Sequence, residues 1–226
     1  MCGRFTRYHS WAEIHRMYRL TDPRETGRND EAAYNVCPTD IVPFVVAGEN
    51  GAHKLREGMW WLVPWGAKER PKAPTINARI ETIDTLWSFK DAFRRSRCLI
   101  PADGFYEWTI SRADGKKDPW HIFLPGHQPF SFAGLWSYNK ALDVTSCTIV
   151  TMDAGEPVRQ IHDRQPVILD PDAYDAWLNP ETPVSELKPI LTGRNLDGAL
   201  QFHRVGRYVN SNKSHGPECI VPVEAA

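Results

Sequence analysis

The frequency of its prolines most constrains how this chain can fold. There are 18 prolines and 9 tryptophans among 226 residues. Each proline removes a backbone N–H group and is disfavoured inside helices and central strands. We therefore expect many short segments joined by ordered loops rather than a helical bundle. The apolar fraction of 42% is enough for one core, so residues 1–226 are predicted to form a single domain.

Local patterns predict a mixed α+β domain that is rich in antiparallel strands. A capping box at Ser10 and Glu13 starts a helix over 10–20, and a second helix is expected over 84–97. Asp170-Pro171 and Thr182-Pro183 predict two further helix starts. The segments 21–33 and 62–74 are predicted loops, the latter exposed. Strands are predicted over 41–47, 53–61, 98–101, 105–110, 120–124, 130–135, 145–152, 201–205 and 218–221.

Charge and cysteine content restrict the possible partners and the compartment. The net charge is −1 and the pI is about 6.7, so a nucleic-acid partner would require a local basic groove. Neither a signal peptide nor a membrane-spanning segment is predicted. We expect a cytoplasmic protein without a membrane partner. The five cysteines are widely spaced, with no C-x-x-C pair, so a reduced protein without a metal or other cofactor is expected.

Cys2 has the chemistry of an aldehyde trap. Initiator methionine is commonly removed before a small residue, and removal of Met1 would leave a 1,2-aminothiol. An α-amine with a reference pKa of about 7.7–8.0 is partly neutral near pH 7, and a thiol is strongly nucleophilic. Together they can form a Schiff base and then a five-membered thiazolidine. The alternative is a cysteine without a role in a frayed terminus.

Three polar side chains with apolar neighbours are candidates for orienting a substrate. Asn35 can orient a substrate oxygen or the N-terminal amine, or it can be a turn residue before Pro38. Asn77 and Arg79 lie two residues apart and share one face if the segment is a strand. Arg79 can then bind a phosphate through two hydrogen bonds, or it can pair internally with Glu81.

A carboxylate and an imidazole are candidates for proton transfer. Glu107 stands between two aromatic residues, where desolvation would raise its pKa as a general acid or base requires. It can equally be a solvated residue on an alternating strand. His162 can shuttle protons near neutral pH, although a lone histidine is more often structural. Arg164 is a second candidate for binding phosphate.

Taken together, six segments resemble the SOS-response-associated peptidase (SRAP) family. They occur in family order and span residues 2 to about 223. The segments are MCGRF, YNVCPT, INARIET, PADGFYEW, IHDRQP and VNSNKSHGPECI. The resemblance implies a single mixed domain with a predominantly antiparallel, barrel-like strand core, peripheral helices and a basic channel.

The resemblance also implies a function. Members of this family bind abasic sites in single-stranded DNA and form a reversible thiazolidine with the ring-opened deoxyribose aldehyde, which shields the lesion. A self-processing activity that removes Met1 is implied as well. The chain is then expected to act as a monomer, in the cytoplasm, and to associate with the nucleoid when bound to damaged DNA.

Site roles follow from the matching motifs. Cys2 resembles the covalent nucleophile, Asn35 a supporting residue, Glu107 the catalytic glutamate, and His162 the histidine that assists crosslink formation or reversal. The residues expected to contact DNA are Arg4, Asn77, Arg79, Thr151, Arg164 and a stacking Trp65.

Two other functions remain as alternatives. An N-terminal-nucleophile amidohydrolase also begins Met-Cys-Gly, but it attacks a carbonyl carbon and needs an oxyanion hole. A non-catalytic single-stranded DNA-binding module would use aromatic rings and arginines without covalent chemistry. Loss of a heat-stable DNA adduct when Cys2 is replaced would separate the crosslinking function from both.

Overall fold

Short strands dominate the computed structural model, which describes residues 2–18, 20 and 31–223. The strands are β1 Phe5–Arg7, β2 Ala33–Val36, β3 Ile41–Ala47, β4 His53–Trp60, β5 Asn77–Arg79, β6 Arg97–Ala102, β7 Gly104–Ile110, β8 Lys117–Phe123, β9 Phe130–Asn139, β10 Val144–Asp153, β11 Arg164–Pro166, β12 Ile168–Leu169 and β13 Gln201–Arg204. The α-helices are α1 Trp11–Tyr18, α2 Lys90–Arg95, α3 Tyr174–Leu178 and α4 Val184–Gly193. Most of the predicted loop over 21–33, together with Met1, lies outside the described residues.

A closed ring of strands forms the centre of the larger sheet. β3 pairs with β4 and β6, β6 with β9, β9 with β10, and β10 with β4. Only the pairing of β4 with β10 is parallel within this ring. Closure removes the unpaired strand edges that promote aggregation. The predicted barrel-like, mainly antiparallel core is confirmed.

The first strand lies inside the smaller sheet. The strand order there is β13-β8-β7-β1-β2, and every pairing is antiparallel. Phe5 pairs with Val36 on one side and Phe105 on the other. A strand with partners on both sides cannot fray on its own. Residues 2–4, which lead into β1, are therefore held against the body of the protein.

Alternation along the ring strands creates two cores, because successive side chains point to opposite faces. Phe44, Trp60 and Phe132 belong to an inner cluster that also contains Cys2 and Phe5. The outward-facing residues pack instead against the helices. That outer cluster includes Tyr18, Val45, Phe93, Leu99, Trp177 and Leu187.

The described residues were also compared with the predictions on cysteines, membrane spans and metal sites. All five cysteines are free and buried. No helix there is both long and apolar enough to cross a membrane. No group of three or more histidine, cysteine or acidic side chains there is placed to hold a metal ion.

Several predicted segments are confirmed. The strand over 41–47 and its antiparallel neighbour both form. The capping box exists, since the Ser10 backbone N–H donates to the Glu13 carboxylate over 2.9 Å. Asp170 caps the short helical turn that precedes α3 by accepting from the Asp172 N–H.

The helix predicted over 84–97 is wrong for most of its length. Only Lys90–Arg95 is α-helical, and Leu86 in the preceding segment is half exposed. Arg97 begins β6 instead and is buried. Its guanidinium donates to the carbonyl oxygens of Phe93 and Trp177. The contact with Trp177, 80 residues away in the sequence, therefore favours a strand position at Arg97.

Three smaller predictions are wrong in part or in full. The segment 62–74 is a loop, but Leu62 and Val63 in it are buried, and the Val63 N–H donates to the Ser146 hydroxyl. A helix does follow Thr182-Pro183, but Pro183 takes the capping position and the Thr182 hydroxyl donates to a carbonyl upstream. The strand over 218–221 is replaced by a 3-10 turn over Pro217–Ile220, where the proline lacks a ladder N–H.

Gly104 provides a test of this packing, because it starts the strand that carries Glu107. A Cβ atom at Gly104 would lie 2.2 Å from Nε2 of the buried His121. We expect Gly104→Ala to lower the free energy of unfolding by about 1–3 kcal/mol in urea denaturation. Gly198→Ala is the control, since nothing lies within 4 Å of its Cβ position. Equal stability of the two variants would contradict the packing described here.

Candidate functional site

Cys2 lies in the inner core and is fully buried. The Asn77 side-chain amide donates to the Cys2 carbonyl oxygen over 2.8 Å. The thiol faces the Arg4 carbonyl, with 3.8 Å between sulfur and oxygen. Burial, aided by the negative charge of Glu107, raises the pKa of the Cys2 thiol well above its usual range. The thiol is therefore neutral at pH 7 in this conformation.

Arg4 and Asn35 form one hydrogen-bonded unit beside Cys2. Arg4 donates to the Asn35 side-chain oxygen over 2.8 Å and to the Val209 carbonyl over 2.9 Å. The Asn35 NH2 group donates to the carbonyls of Ser211 and Ser214. Both ends of the Asn35 amide are thus engaged within the protein. In this structure the Asn35 side chain links Arg4 to the carbonyls of Ser211 and Ser214, and its role in supporting the active site stays a prediction.

A cleft of about 600 Å³ opens next to Cys2. Its lining residues are Gly3, Arg4, Glu107, Trp108, Ile110, Lys117, His162 and Asn210. Glu107 is almost fully buried at the wall of this cleft. Burial, with the charge of Asp163 as a further contribution, raises the pKa of the Glu107 carboxyl to about 7. Near neutral pH the group can therefore either donate or accept a proton.

His162 faces Glu107 across the cleft. The distance from His162 Nε2 to the nearer Glu107 carboxylate oxygen is 3.8 Å. On the other side of the ring, Nδ1 lies 2.9 Å from the Asp163 carboxylate and 2.9 Å from the backbone nitrogen of Arg164. Burial lowers the pKa of His162, so the neutral ring prevails at pH 7. The sequence-predicted acid–base pair is therefore brought together.

The residues predicted to contact DNA divide into buried and exposed members. Thr151 is fully buried on β10, where it pairs with Arg79 on β5. The Arg164 guanidinium donates to the carboxylates of Glu81 and Asp153 over 2.7 Å and 2.6 Å. Arg79 is exposed, and its guanidinium makes no hydrogen bond or ion pair within residues 2–18, 20 and 31–223, although its backbone carbonyl accepts from the Thr82 N–H. Direct DNA contact thus remains a prediction for all three, and only Arg79 presents its side chain to solvent.

Trp65 is two-thirds exposed, with a relative accessibility of 67%. Its indole N–H donates to the Asp91 carboxylate over 3.2 Å, which fixes the ring at the edge of a groove of about 570 Å³. Trp136, Tyr138 and Arg95 line the same groove. A fixed, exposed indole beside other aromatic rings and an arginine is suited to base stacking.

Comparison with known proteins identifies the family of this chain. The profile of the SOS response associated peptidase (SRAP) family matches residues 1–212. The chain belongs to this family. It is 36% identical to the abasic site processing protein YoaM of Bacillus subtilis strain 168, over 97% of each chain. It is 30% identical to the abasic site processing protein YedK of Escherichia coli K12, over 99% of this chain and 100% of that relative.

The fold of this SRAP chain is also seen in solved structures. A Bacteroides thetaiotaomicron protein superposes with a TM-score of 0.82 at 19% identity, over 99% of this chain and 100% of that one. At that identity the likeness concerns the fold alone. A Bordetella bronchiseptica protein superposes with a TM-score of 0.76 at 25% identity, over 91% of this chain and 100% of that one.

Sequence reasoning missed three residues of the cleft in this SRAP chain. Trp108 donates through its indole N–H to the Asn210 side chain over 2.7 Å. Asn210 in turn donates to the Lys117 carbonyl over 3.0 Å. The Asp114-Gly115 pair, which favours a hairpin turn, offered a signal for Lys117, because the hairpin places it opposite Ile110. Nothing in the sequence pattern indicated that Asn210 would reach this hairpin.

The raised pKa of Glu107 predicts a pH-dependent cost to stability. The folded-state pKa is about 7 against an ordinary value of 4.5, so the folded protein loses stability as pH rises through this interval. Below it both states are protonated. Glu107→Gln should therefore unfold at similar urea concentrations to wild type near pH 4.5, and should be more stable by up to about 3 kcal/mol at pH 8.

The control for this measurement is Glu181→Gln, because Glu181 is exposed. That variant should follow wild type at both pH values. A difference between Glu107→Gln and wild type that does not change with pH would contradict the raised pKa.

Proposed function

We propose that this chain recognises abasic sites in single-stranded DNA and forms a reversible thiazolidine crosslink between Cys2 and the ring-opened deoxyribose aldehyde, shielding the lesion. The strongest support is the position of Cys2. Asn77 fixes its carbonyl beside a cleft that contains a carboxyl group with a pKa of about 7. The relatives named abasic site processing proteins fit this assignment.

The first proposed step is removal of Met1. While residue 1 is attached, the Cys2 nitrogen belongs to an amide and is not nucleophilic. Hydrolysis consumes one water, releases methionine and leaves the Cys2 α-amine. Ionised Glu107 can accept a proton from the attacking water and return it to the departing amine. This is why we propose that the chain itself performs the cleavage.

The second proposed step is formation of the crosslink. Opening of the deoxyribose hemiacetal takes a proton from the C1 hydroxyl and delivers one to the ring oxygen. The Cys2 amine then adds to the C1 aldehyde and water departs, which leaves an imine. The thiol sulfur adds to C1 while its proton passes to the imine nitrogen. The product is a five-membered ring with C1–N and C1–S bonds, and one water is released overall.

Glu107 and His162 are suited to the proton transfers in this sequence. At a pKa of about 7, both forms of Glu107 are substantially populated at neutral pH. The neutral His162 ring lies 3.8 Å away and can act as a second proton acceptor in the cleft. Because the buried thiol is neutral, a base is needed to activate it. The pair supplies an acid and a base within the cleft.

DNA binding is assigned to a local set of cations and aromatic rings, since the net charge of −1 gives no overall attraction. Arg79 lies two residues after Asn77 on the same strand and is exposed. Lys117 lines the cleft itself. Trp65 offers an indole face for a base. All of these side chains belong to one chain, so we propose that a monomer is sufficient.

The covalent step predicts that Cys2→Ala abolishes the heat-stable band formed with single-stranded DNA containing one abasic site on a denaturing gel. Cys2→Ser keeps the amine but not the sulfur, so it should form only an imine that borohydride can trap. Cys37→Ala is the matched thiol control and should crosslink like wild type. Intact mass must show loss of Met1 in each variant. A heat-stable band from Cys2→Ala would contradict the proposal.

The electrostatic step predicts a salt-dependent affinity. If three phosphates are neutralised on a single strand, log K should fall with log salt with a slope of about −2. Binding is measured in the Cys2→Ala background with a tetrahydrofuran abasic analogue, so that no crosslink forms. Arg79→Ala should reduce the slope by about 0.7. Arg16→Ala, on the exposed face of α1, should leave it unchanged. A salt-independent affinity would contradict the assigned basic surface.

A further inference from the structure

The ring nitrogen of His162 that faces away from Glu107 has two competing partners. The backbone N–H of Arg164 donates to Nδ1 over 2.9 Å. A carboxylate oxygen of Asp163 also lies 2.9 Å from Nδ1. The N–H donor requires an unprotonated Nδ1, whereas the carboxylate requires a protonated one. Both preferences cannot be satisfied at once.

Each partner therefore selects a different state of the ring. When the Arg164 N–H is bonded, the neutral ring carries its proton on Nε2, which points towards Glu107. When Asp163 is bonded, Nδ1 carries a proton and the imidazolium form is favoured. The partner of Nδ1 thus determines whether the ring is neutral or charged, and so how Nε2 can exchange a proton with Glu107.

One of the two partners is held rigidly and the other is not. The Arg164 side chain is fixed by Glu81, Asp153 and the Thr151 carbonyl, so its backbone N–H has a defined position. The Asp163 side chain has a relative accessibility of 87%, so its carboxylate can approach or leave Nδ1. The competition is therefore settled by the position of Asp163.

Other charged groups face His162 from the surrounding elements. Arg4 from the segment before β1 and Lys117 from β8 line the same cleft and oppose a positive ring. Glu107 on β7, when ionised, favours it. Arg164 opposes it from β11, although its charge is balanced by two carboxylates. Asp163 is the carboxylate in contact with Nδ1, which distinguishes it from these through-space effects.

We propose that Asp163 is a positioning residue for His162: its carboxylate competes with the Arg164 N–H for Nδ1 and so sets where the ring holds its protons opposite Glu107. The part of the inference that concerns reaction rates rests on the proposed crosslinking function. The part that concerns ring protonation does not depend on it.

The protonation of His162 can be measured directly by NMR titration of its ring C–H signals in the full chain. Asp163→Asn should move the titration midpoint to lower pH by about half a unit, because an exposed carboxylate gives only a screened stabilisation of the imidazolium. Asp163→Glu should restore the midpoint at least in part. Asp153→Asn removes the same charge from a carboxylate that contacts Arg164 and not the ring, so it should shift the midpoint less.

The reaction is followed by the pH dependence of crosslink formation. The limb of the profile that disappears in His162→Ala reports this ring, and in Asp163→Asn that limb should move to lower pH together with the NMR midpoint. An unchanged midpoint in Asp163→Asn, or an equal shift in Asp153→Asn, would overturn the inference. A shifted NMR midpoint with an unshifted limb would overturn the positioning role.

Failure of the proposed function gives a different result. If wild type forms no crosslink while the NMR midpoint still moves in Asp163→Asn, the crosslinking function is wrong and the protonation assignment stands. If wild type crosslinks and neither measurement changes in Asp163→Asn, the crosslinking function stands and the inference on Asp163 is wrong.

Discussion

The pairing of β1 between β2 and β7 is the constraint on which the site depends. Because Phe5 has a partner on each side, the backbone just after Cys2 is fixed by hydrogen bonds of a central strand. Asn77 then fixes Cys2 itself from the ring of strands. A nucleophile near a chain terminus would otherwise lose much of its reactivity to conformational entropy. The sheet removes that loss before any substrate binds.

Burial shifts the ionisation of the site's titratable groups and also costs stability. Cys2 and Glu107 lie in the same poorly solvated region. Burial raises the pKa of both groups, and the charge of Glu107 raises the pKa of the Cys2 thiol further. A core built for stability alone would place apolar side chains there. The closed ring of strands compensates, because its two apolar clusters cover both faces. The fold can therefore keep a carboxyl group close to its midpoint of ionisation at neutral pH.

Sequence patterns predicted those parts of the structure that depend on local periodicity. The strand over 41–47 and the Ser10 capping box are examples, and so is the carboxyl of Glu107 between two aromatic residues. The failures came from contacts between distant residues. Arg97 leaves the predicted helix because Trp177, 80 residues away, accepts its hydrogen bond. Asn77 reaches Cys2 across 75 residues. No local signal encodes such pairs.

The motif residues assigned to DNA illustrate the same limit in energetic terms. A motif marks a position as required, but it does not say whether the side chain touches a ligand or supports the protein. Moving the Arg164 guanidinium to a phosphate would break two ion pairs, with Glu81 and Asp153, whose carboxylates are 46% and 78% exposed and are therefore partly screened by solvent. A phosphate must compete with both. The exposed guanidinium of Arg79 is not held by a carboxylate among the described residues. If the chain binds DNA as proposed, the salt-dependent part of the affinity should come from exposed cations such as Arg79. Arg164 then contributes chiefly through the backbone N–H that it presents to His162.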